Sequence, residues 1–284
     1  MSYTKRWILL CSILLGVVLL ACSPAAWLFP TPTPIPTPTP LPTATPLPTA
    51  TPFPTDTGWQ PVGEGAEVRA LLAQTSSGQE QVTVVRLDPT RVRFRVTYTP
   101  GAAQPVGTWA QQTGALLTVN AGYFTEENHL TGLAIANGVA YGVSYGDFAG
   151  MFAVAPDGAA RLRWLRESPY TPEEPLAEGV QSFPVLVKPG GVMGFPADAD
   201  DGSSARRTVV AQDTAGRILF IVAARGMFSL HELAVWLTAS DLGIDIALNL
   251  DGGPSSGLWL REGPLQAQID SYNDVPAVLT ADWR

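Results

Sequence analysis

Ile244-Asp245-Ile246-Ala247-Leu248-Asn249-Leu250-Asp251-Gly252-Gly253-Pro254-Ser255-Ser256-Gly257 is the stretch on which the reading of this chain turns. Its first half repeats apolar residues at period two, which predicts a buried strand with Ile244, Ile246, Leu248 and Leu250 on one face. Its second half changes at once to a carboxylate, two glycines, a proline and two hydroxyls. Asn249 and Asp251 share a parity, so both project to one side of the sheet rim. Glycines at such a rim let backbone N–H groups come close to a ligand. The plainer alternative is a tight turn capped by Asp251. Just upstream, Ser229 and Glu232 have the spacing of a capping box. Leu230, Leu233, Ala234 and Leu237 then make one apolar face, and Gly243 is a suitable stop, so a helix is expected over 230–242.

The same patterning extends through the rest of the domain. Residues 82–87 and 91–98 alternate apolar and polar positions across Asp88-Pro89, which predicts a β-hairpin. Arg91, Arg93 and Arg95 would share its wet face, and Val92, Phe94 and Val96 the buried one. A short helix is expected over 108–113, followed by a buried strand over 115–119 that delivers Asn120 at its end. Hairpins are expected over 133–135 with 138–141, and over 152–154 with 160–164 around Pro156-Asp157-Gly158. Residues 182–187, 208–212 and 218–223 read as strands, the last two joined by a turn over 213–216. Many strands and few helices predict an α+β fold, a strand-rich single domain with mixed or antiparallel sheet.

Three other places set polar groups against an apolar strand. Asn120-Ala121-Gly122-Tyr123-Phe124 follows one strand, and Gln181-Ser182-Phe183-Pro184 leads into another. Arg206-Arg207-Thr208 opens a third, where a guanidinium can clamp a phosphate through paired hydrogen bonds. Taken singly, these also read as a turn amide and a surface arginine.

Together the four segments resemble the phosphodiester glycosidase family. Asn120 and Gly122 match its Asn-x-Gly-Phe-Phe element, with Tyr123 replacing the first Phe. Gln181, Pro184 and Leu186 match Gln-x-Gly-Pro-x-Leu, and Arg207 and Thr208 match its Arg-Thr hairpin. The helix-strand-turn run from Ser229 to Gly257 is the most specific likeness, and the whole extends from about Leu117 to the C terminus. Two departures stand out: Ala224-Arg225-Gly226 occupies the place of an Asp-Gly-Arg segment, and Phe183 that of a small residue. The resemblance implies hydrolysis of a sugar-1-phosphodiester in a glycan or glycolipid. The leaving group is then a phosphate monoester, already a weak base, so general-acid assistance matters less than in ordinary glycoside hydrolysis. It implies catalytic roles for Asp251, as nucleophile or general base, and Arg207, as phosphate clamp. It implies substrate contacts from Asn120, Gly122, Gln181, Thr208, Asn249, Gly252, Gly253 and Ser255.

Two other classes compete. A serine-type hydrolase would use Ser255 or Ser256 as nucleophile and needs a base, for which the chain has only His129 and His231, and His231 falls in the first turn of the expected helix. A non-catalytic glycan-binding surface lipoprotein would need aromatic platforms, whereas the tryptophans are scattered in apolar contexts. No cofactor is expected. Glu126, Asn249 and Asp251 leave room for a divalent cation, although no ligand spacing demands a metal.

Composition sets the surroundings. A formal charge of −8 over 284 residues, with no basic stripe, argues against nucleic acid as a partner. Both cysteines, Cys11 and Cys22, precede the globular part, which therefore has neither disulfide nor thiolate metal site. Lys5 and Arg6 lead into an apolar run over 7–20 that suits a signal-peptide core better than a membrane span. The run ends in Leu19-Leu20-Ala21-Cys22-Ser23, which resembles a bacterial lipoprotein box with Cys22 as the lipidated residue. The alternative is an uncleaved anchor helix to about Phe29. Either places the domain outside the cytoplasmic membrane. Residues 30–54 are almost entirely Thr and Pro, a polyproline II spacer that would extend about 75 Å. The expected division is 1–22 signal peptide and lipobox, 23–57 Thr/Pro linker, and 58–284 a phosphodiester glycosidase-like domain.

Overall fold

Three antiparallel sheets arise from these alternating segments in a computed structural model that describes residues 55–264 and 267–284. The signal peptide, Cys22 and nearly all of the Thr/Pro run lie outside the described residues. The large sheet runs in the order Gln60–Gly63, Ala66–Thr75, Gly78–Leu87, Ile218–Phe228, Ala205–Asp213, Ile244–Asn249, Val185–Lys188 and Val192–Met193. The second sheet orders Val139–Tyr141, Ala134–Ala136, Glu178–Ser182, Gly150–Val154 and Ala160–Trp164. The third orders Gln268–Ile269, Leu258–Leu260, Leu117–Asn120, Ala277–Trp283 and Val92–Tyr98. Every ladder between these strands is antiparallel, so the sheet is not mixed.

One core joins all three sheets. Phe94, Phe152 and Phe220, one from each sheet, meet with ring centroids 5.4, 6.2 and 6.3 Å apart. Truncating any of them to alanine would cost about 3–5 kcal/mol, so this contact does much to lock the sheets together. The opposite face of the large sheet is covered by helix α2, Leu230–Ala239, through Leu233, Ala234 and Leu237. Helix α1, Val106–Thr113, packs Val106 and Trp109 against Val275 and Val278. The capping box at α2 forms as its spacing predicts: Glu232 N–H donates to Ser229 Oγ, and Ser229 N–H to the Glu232 carboxylate. The helix stops at Ala239, however, and Gly243 (φ +68°) lies beyond it in the turn to the next strand.

Other expectations are corrected by long-range pairing. Residues 82–87 and 91–98 do not form a hairpin. The first strand pairs with Ala66–Thr75 and Ile218–Phe228, the second with Ala277–Trp283 in another sheet. The Asp88-Pro89 turn forms, with Arg91 N–H on Asp88 O, but it turns the chain between layers. Arg91, Arg93 and Arg95 are exposed as expected. The single strand over 182–187 is two strands, because Pro184 has no N–H to give a ladder and the chain changes sheets there. Ile244 faces the α2 side and not the shared core of Ile246, Leu248 and Leu250; an extra residue between Ile244 and Ile246 opposite the Gln212–Asp213 step shifts its parity.

A second irregularity positions the site. Between the pairs Ala205↔Phe228 and Arg207↔Ala223 the long strand Ile218–Phe228 bulges outward. The carboxylate of Glu80, 0% exposed, holds the bulge by accepting from the N–H groups of Arg225 and Met227, each at 2.7 Å, and of Gln81. Among the described residues no ion pair reaches Glu80; its partners are backbone donors. Glu80→Ala leaves those donors without their acceptor and is expected to lower unfolding stability by about 2–4 kcal/mol in urea titration. An unchanged midpoint would contradict this role.

Candidate active site

The strand Ile244–Asn249 lies between Ala205–Asp213 and Val185–Lys188, and its exit carries Asp251 to the sheet rim. Leu250 N–H donates to Thr208 O at 2.8 Å, and Asp251 N–H to Ala121 O at 3.1 Å. The chain therefore leaves the large sheet and attaches to the end of the strand Leu117–Asn120 in the third. A single 3₁₀ turn over Gly253–Ser255 follows, with Gly253 at φ +57°, a conformation that only glycine adopts cheaply. At Gly252 a Cβ would lie 3.0 Å from Arg206 O, so the loop needs glycine there to sit against that strand.

Asp251 is largely buried, and burial pushes its carboxyl up to about 6 against the pull of the Ser255 hydroxyl and the Gly252 N–H. Arg207 reaches the same loop: its Nη1 lies 3.9 Å from the position a Cβ would take on Gly252. Its Nε donates to Phe228 O at 3.2 Å and its Nη2 to Ser203 O at 2.7 Å. These partners are neutral carbonyls, and burial holds the guanidinium below its usual range while Tyr123, Asp200 and Asp201 pull the other way. No salt bridge reaches Arg207 among the described residues. Tyr123 stands beside both charges. Burial raises its phenol first, the Asp251 charge raises it further, and Arg207 opposes. Its hydroxyl donates to Phe183 O at 3.1 Å and accepts from Asn249 Nδ2 at 2.8 Å. The rim thus brings together a carboxyl titrating near neutrality, a desolvated cation without a carboxylate partner, and a phenol.

A family model described as Phosphodiester glycosidase matches residues 113–280. The chain belongs to that family. Among solved structures it is similar to the catalytic domain of zebrafish N-acetylglucosamine-1-phosphodiester alpha-N-acetylglucosaminidase auto-inhibited by its pro-peptide. That match has 19% identity and a TM-score of 0.61, and covers 82% of this chain and 85% of that one. It is also similar to a hypothetical protein from Synechocystis, at 19% identity and TM-score 0.54, covering 78% of this chain and 62% of the other. At these identities the likeness to the solved structures concerns the fold. A comparison with curated proteins gave no match.

Within this phosphodiester glycosidase fold the expected site residues separate into two groups. Asp251, Arg207, Gly252 and Gly253 are partly exposed at the rim. Asn120, Gln181, Thr208 and Asn249 are each 1% exposed or less and bond within the protein. Asn120 Oδ1 accepts from Thr208 Oγ1 at 2.8 Å and Gly257 N–H at 2.9 Å, while its Nδ2 donates to Asp251 O at 2.8 Å. Gln181 Oε1 accepts from Tyr145 N–H at 2.9 Å, and its Nε2 donates to Ser144 Oγ at 3.0 Å. Asn249 Nδ2 also donates to Phe183 O at 3.1 Å. These amides position the loops that form the rim. Gly122 is buried, with room for little more than glycine because a Cβ would stand 3.0 Å from Gln181 O, and Ser255, 5% exposed, serves Asp251.

Sequence reasoning missed Tyr145 and assigned no role to Tyr123 or Phe183; an aromatic residue next to a matched motif was the available signal. For a serine nucleophile the geometry offers nothing. Neither histidine bonds to Ser255 or Ser256 among the described residues, and the His231 ring bonds to Phe195 O at 3.0 Å. Glu126 is exposed, and no group of three or more His, Cys, Asp or Glu among the described residues is placed to hold a metal ion.

The raised Asp251 carboxyl also bears on folding. It holds its proton more tightly in the folded chain than when unfolded, where about 3.8 applies. Its stabilising contribution is therefore complete below that value and is lost as pH rises through about 6, after which the buried carboxylate costs up to about 3 kcal/mol. Asp251→Asn should therefore raise the thermal midpoint by several degrees at about pH 8 and by nothing at about pH 3.5. Equal shifts at both pH values would refute the assignment.

Proposed function

We propose that the protein hydrolyses the bond between an anomeric carbon and phosphate in a sugar-1-phosphodiester of a glycan or glycolipid. The observation that carries this reading is the common rim shared by the Asp251 carboxyl and the Arg207 guanidinium, with Tyr123 against both. Arg207 is desolvated and its hydrogen bonds go to carbonyls, with Asp200 and Asp201 acting on it only through space, so an anionic diester gains a cation that no salt-bridged carboxylate neutralises. Asp251 acts above its titration point, either attacking C1 directly or taking the proton from the water that attacks it. The C1–O bond breaks, its electron pair leaves with the phosphate monoester, and the water oxygen ends on C1. Because that leaving group is a weak base, one carboxylate suffices where ordinary glycosidases use two. Family membership supports this chemistry, and the zebrafish relative is an N-acetylglucosamine-1-phosphodiester alpha-N-acetylglucosaminidase.

Asp251→Asn is expected to lower kcat by about 10²–10⁴ on a sugar-1-phosphodiester, and Arg207→Ala to lower kcat/KM by about 10²–10³. In the parent protein kcat/KM should rise with pH through about 6 as Asp251 ionises. Phosphorus NMR should show a phosphate monoester released beside free sugar. A product that keeps sugar-1-phosphate would mean P–O cleavage and overturn the proposal, as would near parental turnover in Asp251→Asn.

Export and tethering belong to the same reading. Lys5 and Arg6, the apolar run over 7–20 and Cys22 support a lipid anchor outside the cytoplasmic membrane, with the Thr/Pro run as spacer. A lipid mass on Cys22 that disappears with globomycin is the expected result. An unmodified Cys22 in the membrane fraction would contradict it.

A further inference from the structure

Beside the rim stands a group of aromatic rings, of which Tyr145 and Phe183 pack on the core of the second sheet and Phe148 does not. Phe183 contacts Tyr123, Tyr145 and Phe148, with centroids 4.8, 5.1 and 5.6 Å apart, and Tyr145 lies 5.9 Å from Phe148. Phe148 is 50% exposed, unusual for a phenylalanine with two aromatic neighbours available to bury it. The wall is rigidly mounted. Tyr145 N–H is held by the buried Gln181, its hydroxyl bonds Thr131, and its ring lies on Gly132, where any Cβ would collide with it. Tyr123 OH is fixed between Phe183 O and Asn249, two residues before Asp251. Tyr123 and Tyr145 both feel the Asp251 charge, which sets the wall next to the carboxylate.

We infer that Tyr145, Phe148 and Phe183 form a sugar subsite that stacks on the C–H face of the pyranose whose anomeric carbon meets Asp251. This rests on the hydrolase reading and extends it to the side of the site from which the sugar is selected. A pyranose presents axial C–H groups on a flat face and hydroxyls at its edge. An aromatic wall binds the face, and the polar rim of Asp251, Gly252 and Arg207 meets the edge and the phosphate. A half-exposed phenylalanine backed by partly buried, hydrogen-bonded rings at a polar rim is an apolar surface open to a ligand. A lipid aglycone is the competing occupant, and the test separates the two.

Saturation-transfer NMR on the full-length protein, with methyl pyranosides of gluco, galacto, manno and N-acetylgluco configuration, reads the wall without any turnover. Transfer to ring C–H protons of at least one pyranoside is expected, weakened about three- to tenfold by Phe148→Ala and retained by Phe148→Trp. On a hydrolysable diester, Phe148→Ala should raise KM by a similar factor and leave kcat within about twofold. Transfer to no pyranoside, transfer unchanged in Phe148→Ala, or transfer to a short alkyl phosphate alone would each overturn the inference. Pyranoside contacts without any diester hydrolysis would sink the enzymatic reading and keep the wall. Hydrolysis with KM unchanged in Phe148→Ala would do the reverse.

Discussion

The amide of Asn120 ties together three separate parts of the chain. Its oxygen accepts from Thr208 in the large sheet and from the backbone of Gly257, and its nitrogen donates to the backbone carbonyl of Asp251. At 1% exposure this amide has no water to fall back on, so losing one partner would leave a buried polar atom unmatched at a cost of about 1–3 kcal/mol. Both ends of the 251–257 loop are thereby fixed to the end of the strand that leads to Tyr123. The position of the carboxylate follows from that one side chain and from the ladder bonds on either side of it.

Electrostatics at the rim are set by what is withheld. Asp251 has a hydroxyl and one backbone N–H for company, and Arg207 has carbonyls; neither is given an opposite charge as a close partner. A direct salt bridge would lower the carboxyl, quench the cation and leave nothing to meet an anionic substrate. Keeping the two charges unpaired preserves both. The phosphodiester glycosidase family supplies the frame, and the aromatic wall of Tyr145, Phe148 and Phe183 is built onto it by the same device seen at Asn120. At the wall a buried amide, Gln181, accepts from the Tyr145 N–H and donates to Ser144 Oγ, and so fixes a neighbouring ring. In both cases the amide acts on a loop and the loop carries the group that faces outward.

Much of this fold is local chemistry that a sequence displays. The apolar run into Asp251-Gly252-Gly253 is a strand and a glycine-dependent turn, Ser229 and Glu232 do cap α2, and the 134–141, 150–164 and 205–228 hairpins form around turn residues that predict them. These features are legible because dihedral preference, capping and alternation act over a few residues.

Partner choice is not local. The turn at Asp88-Pro89 fixed a change of direction but not whether its flanking strands pair, and they went to different sheets. The short run Val82-Thr83-Val84-Val85, buried on both faces, demanded a central place in the large sheet. Nor does a sequence reveal whether an amide such as Asn120 or Gln181 faces a ligand or a loop, because burial is decided by segments far along the chain. The residues themselves therefore determined the strand-rich class, the turn that bears Asp251 and the group of motifs around it. Tertiary structure alone decided that Arg207 reaches the loop of that carboxylate and that Tyr123 feels both charges, because only packing of the sheets could strip water from all three at one rim.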